Sequence, residues 1–394
     1  MKLINVLPSP LSLFYATLVC SPLAIVVTIF KPPITTSTDG DFTIPPLQTT
    51  TAPAAATTAV GATVISTSVT TATKQKQNHH SAKEDDDDEQ LFRQASRVNP
   101  KPSQPEKLAF MFLTTTPLPF APLWELFFNQ TPLNLYNIYI HADPAPSYDP
   151  PFSGVFLNRV IRNSKPTHRH SPTLISAARR LLSHALLEDP SNSMFALLSS
   201  SCIPLHSFNF TYKTLIWPKK SFIEILTNEP DAYDRWAVRG KHAMAPEVPF
   251  ENFRIGSQFF VLTREHARMV VSDSKLWSKF KLPCLKKSIC YPEEHYFPTL
   301  ISMKDPGGCI PATLTHVDWS VRRHGHPRMY RASEVGPKLI ATIRRKKPRY
   351  GDDGPNGSSS LATKRTDPFL FARKFSTGSI GPLLRIAPNV IFKD

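Results

Sequence analysis

The run Tyr291-Pro292-Glu293-Glu294-His295-Tyr296-Phe297-Pro298-Thr299-Leu300 sets two adjacent carboxylates just ahead of an apolar segment. Proline suits the first position of a helix, where its missing amide donor is not needed, and acids in a first turn face the positive end of the helix dipole. A carboxylate fixed there is a candidate general base for a hydroxyl nucleophile. Taken alone, the pair reads first as ordinary helix-start acids. Other chemically interesting positions are spread along the chain: Asp143 after Tyr139-Ile140-His141-Ala142, Trp319 inside Thr315-His316-Val317-Asp318-Trp319-Ser320, and Lys374 inside Leu370-Phe371-Ala372-Arg373-Lys374-Phe375.

The elements that must hold these residues follow from apolar pattern. Lys107 to Thr116 and Met194 to Ser199 read as buried strands, and Leu133 to His141 as a third that ends just before Asp143. Pro172 to Leu187 reads as a helix with Leu174, Ala178, Leu181, Leu182 and Ala185 on one face. Gly256 to Glu265 reads as a strand running into a helix. Strands alternating with helices predict an α/β fold with a mainly parallel sheet flanked by helices. Ligands on such sheets bind beyond the carboxyl ends of the strands, which is where Asp143 falls. Its bland reading is a turn-capping aspartate. Pro144 and Ala145 follow it, so no metal-binding Asp-x-Asp begins there.

In order along the chain stand His141-Ala142-Asp143, Leu197-Leu198-Ser199-Ser200-Ser201-Cys202-Ile203-Pro204-Leu205, the Gly256-Ser257-Gln258-Phe259 strand, the Pro-Glu-Glu-His turn, Asp318-Trp319-Ser320 and the Leu-Phe-Ala-Arg-Lys-Phe segment. This series resembles the core-2/I-branching β-1,6-N-acetylglucosaminyltransferase family in its plant-type form, over roughly Lys107 to Phe375. The resemblance implies a variant GT-A-like fold and an inverting, metal-independent transfer of a sugar from a UDP donor to a glycan or glycoprotein hydroxyl, with no cofactor. N-acetylglucosamine is the implied sugar, glucuronic acid the alternative. It implies Glu294 as the catalytic base, with Glu293 standing where the family usually has Asp. Asp143 and Lys374 are implied on the donor side, and Arg349 is the candidate for a second basic residue there. Trp319, in the Asp-Trp-Ser segment, and Arg239, in a separate region that also holds Arg235 and Lys241, are implied on the acceptor side. A different class of protein stays open: a catalytically inactive glycan-binding or scaffold protein on the same fold.

Composition sets the frame. Leu11 to Phe30 is an uncharged, mostly apolar run, close to the roughly 20 residues that cross a bilayer as a helix. It is read as an uncleaved anchor with residues 1–10 as a cytosolic tail, making a single-pass type II Golgi membrane protein. A cleaved signal peptide is the competing reading. Residues 31–105, rich in Thr, Ser, Pro and Ala and carrying the acidic run Glu84 to Glu89, are expected to be a disordered stem in which the acids are solvated. Residues 106–394 are expected to be the lumenal transferase domain. The chain carries a net charge of +15, and Arg322 to Arg349 is strongly basic. Such a stretch suits nucleic acid or a nucleotide diphosphate, and the anchor argues against nucleic acid. Cys202, Cys284, Cys290 and Cys309 allow several pairings. The sequons at Asn129, Asn209 and Asn356 agree with a lumenal domain.

Overall fold

Strand β1 (Lys107–Thr114) is second from the edge of a six-stranded sheet, with β2 (Tyr136–Ala142) on one side and β3 (Asn192–Ser199) on the other, both parallel to it. The computed structural model describes residues 86–321, 326–353 and 365–394. The alternation of β1 divides its side chains between two cores. Leu108, Phe110 and Phe112 join one core, with Trp124, Ile203 and Phe371; Ala109, Met111 and Leu113 join the other, with Leu181, Phe260 and Tyr296. A strand buried on both faces has no polar side, which is why it reads as an unbroken apolar run. Truncating Phe110, fully buried and in edge-to-face contact with Trp124, Phe127 and Phe128, would cost about 3–5 kcal/mol.

Helix α1 (86–96) precedes β1, and α2 (Ala121–Phe128) and α3 (Thr173–Glu188) belong to the crossovers that make parallel pairing possible. After β3 the chain makes β4 (Ile203–Pro204), α4 (Phe208–Ile216), β5 (Ser221–Phe222), α5 (Ala232–Trp236), β6 (Val261–Thr263) and α6 (Arg264–Ser272). Then come α7 (Lys275–Phe280), α8 (Tyr296–Lys304), β7 (Cys309–Ile310), β8 (Thr315–Val317), α9 (Pro337–Arg345), β9 (Phe371–Arg373) and α10 (Ile380–Ile386). The large sheet runs β2-β1-β3-β6-β5-β7, and β6 is antiparallel to both its neighbours. The sheet is therefore mixed though mainly parallel, as expected of a GT-A-like α/β fold. A second sheet, β4-β9-β8, carries the Leu-Phe-Ala-Arg-Lys-Phe segment. The indole of Trp124 ties the two regions together by donating to Cys202 O at 3.1 Å.

One boundary differs from expectation. Residues 86–96 lie inside the expected disordered stem, yet they are helical. Asp88, expected to be a solvated member of the acidic run, is buried. It takes a two-point ion pair from Arg180 at 2.9 and 2.5 Å and a third contact from Lys165 at 3.0 Å. A run of acids has no period that marks one of them for burial; the partner that makes burial affordable lies on α3, far along the chain. The expected strand from Leu133 likewise opens as a single 3-10 turn, Leu133–Leu135, before β2 begins. The apolar run Leu11 to Phe30 lies outside the described residues. Among those described, no helix is long and apolar enough to cross a membrane.

Candidate active site

Glu294 closes a single 3-10 turn, Pro292–Glu294, that leads into α8. Gly256 N donates to Glu294 O at 2.8 Å. A Cβ on Gly256 would stand 2.0 Å from Glu224 O, so only glycine lets these segments close up. Glu294 and Glu224 are thereby brought to one recess. The side chain of Glu294 keeps 33% of its surface accessible. Protein nevertheless crowds it, and this desolvation raises its pKa, opposed by the charges of Arg235, Arg169 and Arg373. Arg235 Nη1, on α5, stands 3.9 Å from Glu294 Oε2. Burial also pushes Glu224 up to about 7, helped by the charges of Glu229 and Glu294 and opposed by Arg349.

Glu293 points the other way. It is buried, its Oε2 has no partner among the described residues, and burial pushes it up to about 8. His295 is fully buried, and desolvation holds its pKa well below the usual range, so the ring is neutral. Of the two neighbouring acids, Glu294 alone faces the recess.

Cations gather around it. Arg373 lies 4.6 Å over the ring of Phe259, and burial lowers its pKa. Lys374 is lowered by partial burial and then by the charges of Arg373 and Arg169. Like charges raise one another's energy unless an anion sits among them, so this grouping is an anion site in its chemistry. Arg169 and Arg235 both lie over Tyr291, at 6.0 and 5.7 Å from the ring centroid. The disulfide Cys284–Cys290 closes the loop just before Tyr291, and His170 Nδ1 sits 3.1 Å from Cys290 O. Cys202 and Cys309 are buried and unpaired.

A recess holding partly accessible carboxylates raised by burial, Glu294 and Glu224, beside a group of cations is the layout of a group-transfer site. Residues 108–344 match the family model of the Core-2/I-Branching enzyme. Over 308 residues the chain is also 31% identical to "Glycosyltransferase BC10" of Oryza sativa subsp. japonica, covering 70% of this chain and 75% of that protein. The chain belongs to the core-2/I-branching family. It is a glycosyltransferase.

In this core-2/I-branching enzyme the expected site residues have different surroundings. Asp143, at the end of β2, is buried and accepts from Thr167 N at 2.7 Å, Thr167 Oγ1 at 2.9 Å and Ala145 N at 2.9 Å. These hydrogen bonds to the ionised form lower its pKa against the effect of burial. Trp319 is 48% exposed. Its neighbour Asp318 is buried and holds the loop by accepting from Ser320 N at 3.0 Å and Tyr330 Oη at 2.9 Å. Arg239 corrects an expectation: it is 6% exposed, donates to the carbonyls of Leu282 and Phe280 and lies 5.1 Å over the Phe280 ring. A guanidinium so enclosed has no face for an acceptor, and Arg235 takes the place by the recess. Arg349 also departs from expectation. It pairs with Glu229 at 2.6 Å, and its influence reaches Glu224 rather than Lys374.

The residues missed by sequence reasoning are Arg169, Arg373 and Glu224. Arg373 stands next to Lys374 and was within reach of that motif. Arg169 and Glu224 sit in irregular segments, where no periodicity marks a side chain for the site. Among the described residues no group of three or more His, Cys, Asp or Glu is placed to hold a metal ion. The sequon residues Asn129 and Asn209 are both exposed. Asn356 lies outside the described residues.

Proposed function

We propose that this glycosyltransferase inverts the anomeric centre, moving N-acetylglucosamine from a UDP donor to a hydroxyl of a glycan or glycoprotein without a metal ion. The observation that carries the reading is the placement of Glu294 against the cation group of Arg169, Arg373 and Lys374. The acceptor hydroxyl attacks the anomeric carbon as Glu294 takes its proton, and the bond to the UDP oxygen breaks with its electrons. The negative charge that leaves with UDP is stabilised by fixed cations, the role a divalent ion plays elsewhere. Burial of Glu294 makes it a stronger base than an exposed glutamate. The accessible face of a raised carboxylate favours catalysis over a purely glycan-binding role.

Leu11 to Phe30 would anchor the enzyme in the Golgi membrane as a single-pass type II protein, a reading that rests on that apolar run. The donor is tested on the purified transferase domain with a panel of UDP-sugars, scoring thermal stabilisation and transfer with and without EDTA. Stabilisation and transfer with UDP-N-acetylglucosamine, both persisting in EDTA, are the expected result. Preference for UDP-glucuronic acid would change the sugar, and loss of transfer restored by Mn²⁺ would overturn the metal-independent reading.

A further inference from the structure

Beside the recess of Glu294 lies a hollow of about 630 Å³, within the roughly 300–1,000 Å³ of small-molecule sites. Tyr233 and Phe250 form one wall, and Phe253 and Glu229 also line it. The two rings meet edge to face at 5.3 Å, and both also pack on Trp236, which is buried and anchored by its own donation to Val248 O at 2.8 Å. Tyr233 and Phe250 are nonetheless 49% and 41% exposed. Large rings held rigidly from behind and left open in front make a stacking surface.

The polar lining is acidic although the chain carries +15. Asp231, Asp234 and Glu251 line the hollow and are exposed, and their carboxylates make no hydrogen bond or ion pair among the described residues. The hollow also adjoins the catalytic recess through shared elements. Helix α5 carries Tyr233 to the hollow and Arg235 to Glu294. Phe253 lines the hollow and packs 5.0 Å from the ring of His295, next to Glu294. The wall is braced from outside: Asp352 accepts from Thr227 N and Asn228 N at 2.9 and 3.0 Å, and Arg349 holds Glu229.

We propose that this hollow binds further sugar units of the acceptor, and that it selects neutral over acidic glycans. Sugar rings present apolar C–H faces that stack on Tyr233 and Phe250, while their hydroxyls donate to Asp231, Asp234 and Glu251. A uronate would meet like charge there and be disfavoured. The inference rests on the transferase reading for the orientation of the acceptor, but its binding test does not.

The test uses the Glu294→Gln enzyme without donor, so that no transfer occurs, and follows binding of neutral xylo-, cello- and galacto-oligosaccharides of increasing length by calorimetry. Oligogalacturonides of matching length serve as the acidic arm. Affinity for at least one neutral series should rise with length, and Tyr233→Ala with Phe250→Ala should remove about tenfold of it, the scale of loss from truncating two aromatic anchors. Oligogalacturonides should bind more weakly, and Asp234→Asn with Glu251→Gln should narrow that gap. Thermal melting of each variant shows that it is folded. No length-dependent binding of any neutral series, undiminished binding by the aromatic variant, or equal binding of the uronates would overturn the proposal. Transfer from UDP-sugars by the wild-type enzyme is scored separately, so a failed hollow leaves the transferase reading standing, and a failed transferase that still binds oligosaccharides does the reverse.

Discussion

Thr167 donates twice to one oxygen of Asp143, from its amide at 2.7 Å and its hydroxyl at 2.9 Å. The bond crosses from the end of β2 to the segment that carries Arg169 and His170, so a buried aspartate beneath the site sets where an arginine of the site stands. Hydrogen bonds to an ionised acceptor are worth about 1.5–3 kcal/mol each. Thr167→Val removes one of them and leaves Asp143 itself intact. If Asp143 acts through this loop, Thr167→Val and Asp143→Asn should weaken UDP binding in parallel, by roughly threefold to tenfold, as read by calorimetry. Weakening by Asp143→Asn alone would point to direct contact between Asp143 and the donor.

Glu294→Gln keeps the shape of the side chain and abolishes its basicity. Transfer should fall by about 10²–10⁴-fold, the usual contribution of a general base, with UDP-sugar affinity close to wild type. Glu293→Gln should be far milder, since that carboxyl faces the interior. Single-turnover transfer and equilibrium donor binding separate the two. A larger loss from Glu224→Gln than from Glu294→Gln would move the role of base to Glu224.

Cations that meet a diphosphate act through charge. Arg373→Ala and Lys374→Ala should each weaken UDP binding by about tenfold or more, with the loss shrinking as salt rises. Arg349→Ala should leave UDP binding nearly unchanged, because Arg349 braces Glu229 and the loop around it. Fluorescence or calorimetric titration at two ionic strengths checks all three. An Arg349 effect equal to that of Lys374 would restore Arg349 to the donor side.

Burial raises Glu293 from 4.5 to about 8, so the folded protein holds a proton there that the unfolded chain gives up near the lower value. Between these values the folded state binds more protons than the unfolded one, and stability must fall as pH rises through that window. Below about 4.5 this contribution is fully present, and above about 8 it is lost. The melting temperature of wild type should therefore drop by several degrees from about pH 5 to about pH 9, and Glu293→Gln should show a flatter profile. Parallel profiles for the two proteins would show that Glu293 is ionised in the fold.

Much of this protein was determined by local sequence. The apolar runs of β1 and β3 form as their patterns require, because burial on two faces is written into the order of side chains. Helix α3 forms too, but the expected single apolar face is not all that is buried: Arg179, Arg180 and Ser183 are enclosed as well, with Asp88 and Phe92 of α1 against the two arginines. The Pro-Glu-Glu turn forms where Pro292 stands, since proline presets the backbone there. Tertiary structure decided the rest. Glu293 and Glu294 are neighbours of the same chemistry, and only the packing of Gly256 against Glu294 O turns one to the recess and the other into the core. Arg239 and Arg235 lie one turn apart, yet Arg239 is enclosed beneath the site while Arg235 meets Glu294, a choice made by Phe280 and Leu282 from a distant helix and its end. Asp88 among equal acids is selected by Arg180. In each case a charge is placed by a partner remote in sequence, and electrostatic energy depends on the distances and burial that folding brings about, which no local pattern encodes.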